Sequence, residues 1–242
     1  MIKPDAELHE ALLRRYGQIQ PDGIWRRLGF HCKRLAWKVV VNTTYVFKRQ
    51  LDIIVSLGFL ILFMPLSLIV MLLIVMESPG PIFFRQIRVG RGGKLFSMWK
   101  FRSMYVDAEA RKAALLAQNE SNGGVIFKMK HDPRITRVGR FIRRASIDEL
   151  PQLWNVLVGD MSLVGPRPAL PSEVKQYSLA DRRRLEVTPG ITCFWQVSGR
   201  SEIPFPEQVK LDVQYIESSS VSQDILILLR TIPAVLSGRG AY

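Results

Sequence analysis

Ile53–Met76, IIVSLGFLILFMPLSLIVMLLIVM, is a run of 24 residues without a charge. A helix needs about 20 apolar residues to cross the hydrocarbon of a bilayer. A buried helix in a soluble protein seldom stays apolar on every face for this length, so the run implies membrane association. It is not read as a cleaved leader, because it begins at Ile53, exceeds the usual apolar core of a leader and lacks a small-residue cleavage site after it.

The flanks decide how the run meets the membrane. Residues 1–50 carry ten Lys/Arg against four acids, and residues 77–102 carry six against Glu77 alone. Basic flanks are retained on the cytoplasmic side. A straight span would export one of them, whereas a helix that breaks midway and returns satisfies both. Pro65, near the middle of the run, lacks an N–H and crowds the preceding turn, which favours a break there. A re-entrant hairpin is therefore expected, with a kinked span carrying an ordinary tolerated proline as the alternative.

The chain has 242 residues, with 34 Lys+Arg against 21 Asp+Glu and a formal charge of +13. That length suits one catalytic unit with an anchor. The charge calls for an anionic partner: nucleic acid, anionic lipid headgroups or a phosphorylated substrate. No nucleic-acid-binding motif, P-loop, GxGxxG or GxSxG is present, so no nucleic-acid partner is expected. Cys32 and Cys193 sit in no metal or disulfide spacing, and His9, His31 and His131 form no metal pattern.

Three segments follow. Residues 1–46 form a basic extension whose Trp25, Phe30, Trp37 and Tyr45 suit helices lying at the membrane interface. Residues 47–78 form the membrane helix, and residues 79–242 the domain that rests on the membrane. In that domain, β-like pieces are expected around Ile82–Phe84 and Leu95–Met104, separated by Gly90–Gly93. Helices are expected over Asp107–Gln118, in two pieces over Ile135–Trp154, and over Asp224–Leu236, with a loop at Asn119–Gly124. No regular βαβ rhythm is visible, so the fold class expected is α+β, mostly helical.

Chemistry concentrates in Arg140–Pro151, RFIRRASIDELP, where arginines precede the adjacent carboxylates Asp148 and Glu149. Ser146 to Glu149 matches a capping box, S-x-x-E. If Ser146 is the N-cap, Pro151 falls where its missing N–H breaks a helix bond; if Asp148 is, Pro151 is harmless. Either choice puts Asp148 at a helix N-terminus, which suits a phosphoryl group. Adjacent helical residues diverge by about 100°, so the two carboxylates divide labour rather than share a proton. One can attack phosphorus while the other holds a divalent ion. Lys100 and Arg102 are candidate phosphate ligands: on a strand they share one face as a basic rail, with Trp99 and Phe101 on the other. Arg167, between Pro166 and Pro168, is a third, held by restricted backbone. Each basic residue taken alone also reads as a solvated charge.

At these residues the sequence resembles the bacterial sugar transferase family, the monotopic polyprenyl-phosphate phosphoglycosyl transferases. The likeness runs from about Phe47 to Tyr242. It includes Lys48-Arg49 with Asp52, Lys100-Phe101-Arg102-Ser103-Met104, Asp132-Pro133-Arg134-Ile135-Thr136, Ser146-Ile147-Asp148-Glu149-Leu150-Pro151-Gln152 and Gly159-Asp160-Met161-Ser162-Leu163-Val164-Gly165-Pro166-Arg167-Pro168. The resemblance implies a nucleophilic Asp148 that attacks the β-phosphate of a UDP-sugar, releases UMP and carries a covalent phosphosugar to polyprenyl phosphate. It implies Mg²⁺ on Glu149, phosphate-binding Arg143 and Arg167, a basic-rail Lys100, a re-entrant helix and a catalytic domain facing the cytoplasm at the bacterial inner membrane. Many members have Ser-Pro at the membrane break where this chain has Met64-Pro65. Motifs at Thr188–Thr192 and Trp195–Arg200, with Gly240-Ala241-Tyr242, resemble the catalytic portion of larger members that transfer hexose-1-phosphate. The chain is accordingly expected to be such a core with a short basic extension, acting with membrane lipids and with a homodimer left open. A single-displacement transferase and a membrane-tethered basic binding module are the rival readings.

Overall fold

The computed structural model describes residues 45–115, 129, 132–198 and 203–237. The chain divides into residues 1–48 and a compact unit of residues 49–242. Most of the basic extension, the loop at Asn119–Gly124, His9, His31, Cys32, His131, Arg200 and the terminal Gly240-Ala241-Tyr242 lie outside the described residues.

Helix α1 (Tyr45–Leu62) and helix α2 (Met64–Glu77) meet at a 60° bend. Neither is long and apolar enough to cross a membrane alone; only together do they have the length and composition of a broken span or a re-entrant loop. The break falls on Phe63, whose ψ of 7° takes it out of helical geometry, and Pro65 sits in the first turn of α2. Proline is tolerated there, where an N–H would lack an intrahelical acceptor. The bend forms without the Ser-Pro hydroxyl. Ile54, Ile61, Leu68, Leu72 and Met76 on the pair are exposed, leaving an apolar outer surface.

The inner faces enter two cores. Leu51, Val55 and Leu60 of α1 pack on Phe96, Met98, Leu153, Val156, Met161, Leu163, Val164, Tyr215 and Ile227. Val70 and Ile74 of α2 pack on Phe101 and Ile142. Polar residues near the start of α1 tie it to the same unit. Arg49 donates to the Val156 and Leu157 carbonyls at 2.5 and 2.7 Å, and Asp52 accepts from the Leu163 N–H at 3.0 Å.

Strands β1 (Phe83–Val89) and β2 (Leu95–Phe101) form an antiparallel hairpin, with Phe83 opposite Phe101 and Val89 opposite Leu95. The turn uses Gly92 and Gly93 at φ of 65° and 83°, where a Cβ would be strained. β1 is longer than expected, because pairing with β2 carries Arg85–Val89 into the ladder. β2 stops at Phe101 instead of Met104. Helix α3 (Ala108–Leu115) and helix α4 (Arg137–Arg144) follow. Beyond a single 3₁₀ turn at Ile147–Glu149 come α5 (Gln152–Val158), β3 (Ser162–Val164), the one-turn α6 (Pro171–Val174), β4 (Gly190–Thr192) and α7 (Phe194–Ser198). Helices α8 (Phe205–Ser218) and α9 (Val221–Ser237) complete the described chain. β3 and β4 pair in parallel, so among the described residues two small two-stranded sheets accompany the helices. This agrees with the α+β, mostly helical expectation.

Candidate functional site

The Asp148 turn is built from the end of α4. Ser146 has φ 55° and ψ 19°, the only non-glycine with positive φ among the described residues, and its side chain makes no capping bond. Its N–H instead bonds the Arg143 carbonyl at 3.0 Å, while the Ala145 N–H bonds Phe141 at 3.1 Å. Ser146 therefore closes α4 as a left-handed C-terminal residue. The expected capping box does not form, and Asp148 lies in the 3₁₀ turn rather than at an α-helix N-terminus. Ser146 takes the left-handed conformation that ends α4, and in it the side chain caps no amide of the following turn.

Two helix-docking contacts fix this turn in space. The Glu77 carboxylate at the end of α2 accepts from the N–H groups of Arg137 and Val138 at 2.7 and 2.8 Å, and Thr136 caps the Gly139 N–H at 2.8 Å. A Cβ on Gly139 would collide with the Ser103 carbonyl, so only glycine lets α4 sit this close to the strand end. On the other side, Asn155 of α5 pins β2 like an extra strand: Nδ2 donates to the Ser97 carbonyl at 2.8 Å and Oδ1 accepts from the Trp99 N–H at 3.0 Å.

That clamp brings Lys100 to the carboxylates. Its Nζ lies 2.6 Å from Glu149 Oε1. Burial alone would raise Glu149, but Lys100, the Arg167 charge and a hydrogen bond from Gln152 pull it below the ordinary range. Asp148 goes the other way. Burial pushes its carboxyl up to about 6, helped by the Glu149 charge and opposed by Lys100 and Arg143. Among the described residues, nothing beyond its own N–H hydrogen-bonds that carboxylate.

Arg143, in the last turn of α4, acts on Asp148 through its charge. Arg167 acts on Glu149 and lines a small cavity with Glu173, Tyr177 and Arg184. Its loop is seated by backbone: the Gly190 N–H bonds the Pro166 carbonyl at 2.9 Å and the Gly165 N–H bonds Thr192 at 3.0 Å. Gly165 and Gly190 face each other so closely that a Cβ on either would strike the other strand's backbone.

Arg102 does not join them. Its buried guanidinium donates to the Ser78 carbonyl and reaches the Ile74 carbonyl at 3.5 Å, closing the C-terminal end of α2. Because β2 ends at Phe101, strand alternation no longer carries the next residue to the Lys100 face, and the expected two-residue rail reduces to Lys100. Pro65 lies at the helix break, in α2. Arg88 has a role that sequence reasoning missed. Buried on β1 with its pKa lowered to about 10 by desolvation and the Arg167 charge, it donates to the Pro168 carbonyl at 2.9 Å and to Gln86 Oε1 at 2.6 Å. It braces the loop that carries Arg167, and no local pattern announces a contact across that separation.

No cluster of three His, Cys, Asp or Glu is found among the described residues. Two adjacent carboxylates give hard oxygen donors, and Mg²⁺ is commonly held by one or two carboxylates with substrate phosphates and water filling the rest. The donor set therefore fits a Mg²⁺ ion shared with a diphosphate and not a closed protein cage.

The site thus groups a buried carboxylate, a lysine-paired glutamate and arginines from two elements, in the same unit as an apolar bent helix pair. Residues 43–238 match the model of the family described as bacterial sugar transferase, and the chain belongs to that family. It is 54% identical over 166 residues to the galactosyl transferase CpsE of Streptococcus agalactiae, covering 68% of this chain and 37% of that one. It is 44% identical over 198 residues to the undecaprenyl-phosphate galactose phosphotransferase of Salmonella typhimurium, covering 81% and 41%. It is 40% identical over 203 residues to the UDP-glucose:undecaprenyl-phosphate glucose-1-phosphate transferase of Caulobacter vibrioides, covering 81% and 72%. The chain spans less than half the length of the first two.

Proposed function

We propose that this protein is a phosphoglycosyl transferase that moves a hexose-1-phosphate from a UDP-sugar to a polyprenyl phosphate, the first membrane step of surface polysaccharide assembly. The observation that carries this reading is Asp148: buried, pushed up to about 6, and acted on by the charges of Lys100 and Arg143 with no hydrogen bond from another described residue. That carboxylate is left available to an incoming group. Its oxygen attacks the β-phosphorus, the bond to the α-phosphate oxygen breaks, and UMP leaves with the electron pair. Polyprenyl phosphate then attacks the same phosphorus and regenerates the Asp148 carboxylate. Lys100, Arg143 and Arg167 bind and orient the phosphates. Glu149 would hold Mg²⁺ together with the diphosphate oxygens, and that ion neutralises phosphate charge when bound.

The bent pair α1–α2 is the re-entrant anchor in this reading. Its apolar outer face and its two basic flanks support a hairpin with both ends, and the site, on the cytoplasmic side. The names of the relatives differ in sugar, galactose in one and glucose in another. The test is UMP release from a panel of UDP-sugars by the purified full chain with Mg²⁺ and undecaprenyl phosphate. Release with one donor is expected; no release with any donor from folded protein would overturn the reading.

A further inference from the structure

A groove of about 440 Å³, within the range of ligand pockets, opens beside the bend of α1–α2. We propose that it holds the isoprenoid chain of the lipid-phosphate acceptor, with the lipid phosphate drawn to Lys100 next to Asp148 and Glu149. This rests on the function proposed above and adds where the acceptor sits.

Three walls meet there. Leu60, Met64, Ser67 and Met71 recur at helical spacing along one side of the bent pair. Trp99 and Phe101 come from β2, where they alternate with Lys100, so one strand presents aromatic rings to the groove and its ammonium to Glu149. Leu150 and Trp154 form the third wall directly after Glu149. The groove and the reacting carboxylates are thus the two sides of one strand and one turn. Met64 and Trp154 are 57% and 56% exposed, which opens the groove onto the apolar outer surface that continues through Ile61 and Leu68. A chain entering from lipid stays in apolar surroundings to within one residue of the cation. Ser67 brings the only hydroxyl among the lining residues, a poor complement for a sugar or a nucleotide and a good one for hydrocarbon.

The experiment uses the full chain in nanodiscs with a polyprenyl phosphate carrying a diazirine on an isoprene unit near the phosphate. Photolysis is expected to label peptides containing Leu60–Met71 or Leu150–Trp154, and excess undecaprenyl phosphate, but not an equal excess of phosphatidylglycerol, is expected to suppress labelling. Labelling confined to other surfaces, such as α9, or suppressed equally by the phospholipid, would overturn the proposal. Met71→Trp, which fills the groove, is expected to raise KM for the long-chain acceptor about tenfold. Where that variant fails to fold, the labelling of the wild type decides. Labelling needs no turnover, so the two readings separate. Groove labelling by a protein that releases no UMP removes the proposed reaction and keeps the groove, and turnover with labelling elsewhere does the reverse.

Discussion

Two buried aspartates sit in short turns of the same domain and have been treated in opposite ways. Asp132 is fully engaged: its Oδ1 accepts from the N–H and Nε of Arg134 at 3.0 and 2.9 Å, and its Oδ2 accepts from Nη2 at 2.7 Å. Burial would raise it, but these bonds and the Arg134 charge hold it below the ordinary carboxylate range. Asp148 is buried as deeply and is pushed up to about 6. Burial alone does not mark a reactive group: Asp212, ion-paired to Arg184 at 2.6 Å, is also pushed up to about 6. What sets Asp148 apart is the company of Glu149, Lys100 and Arg143, the groups the proposed reaction uses.

The largest expected effect is on turnover. Asp148→Asn should lower UMP release at least a thousandfold, as loss of a nucleophile does. The same change should raise the thermal midpoint at pH 7, with a gain of roughly 1–3 kcal/mol, because the ionised buried carboxylate is gone. In the wild type, Asp148 favours folding below its ordinary pKa and loses that contribution as pH rises through about 6. The opposite holds at the other turn. Asp132→Asn should cost roughly 2–4 kcal/mol by removing the carboxylate charge that faces the buried Arg134 guanidinium, read as a lowered urea midpoint. The contribution of Asp132 is present at neutral pH and lost as pH falls through its depressed pKa.

A finer test uses the pH profile of the first half-reaction, donor with no acceptor. Attack needs the Asp148 carboxylate, so the rate should rise with pH and level off above about 6. Lys100→Ala removes the charge that favours that carboxylate, so the inflection should move to higher pH; a shift downward would contradict the electrostatic assignment. The smallest effect concerns the turn itself. Ser146→Gly relieves the left-handed backbone without removing a cap and should stabilise by up to about 1 kcal/mol, measured by denaturant melts. A loss of about that size would restore the capping box.

The membrane-associated pair was legible in Ile53–Met76, because absence of charge over 24 residues needs no tertiary context. Lys48, Arg49 and Asp52 lie within α1, as the expected 47–78 helix requires, and these charges are tolerated because Arg49 and Asp52 bond the backbone of residues far along the chain. The grouping of Lys100 with Asp148 and Glu149 was legible, the pair from its adjacency behind arginines and the lysine from strand alternation with aromatic neighbours. Arg102 was misplaced because the end of a strand is set by what docks on it, here Thr136 and Gly139 on Ser103. The serine of S-x-x-E was ambiguous for a related reason: the same residue type tolerates the left-handed end of one helix and caps the start of another.

The central claim is that Asp148 carries the sugar phosphate. Intact-mass spectrometry of the full chain after incubation with its UDP-sugar and Mg²⁺, without acceptor, tests it directly. The account predicts a phosphohexose adduct that maps to Asp148 and disappears when polyprenyl phosphate is added. Turnover with acceptor but no adduct at Asp148 in its absence would contradict it and make the transfer a single displacement.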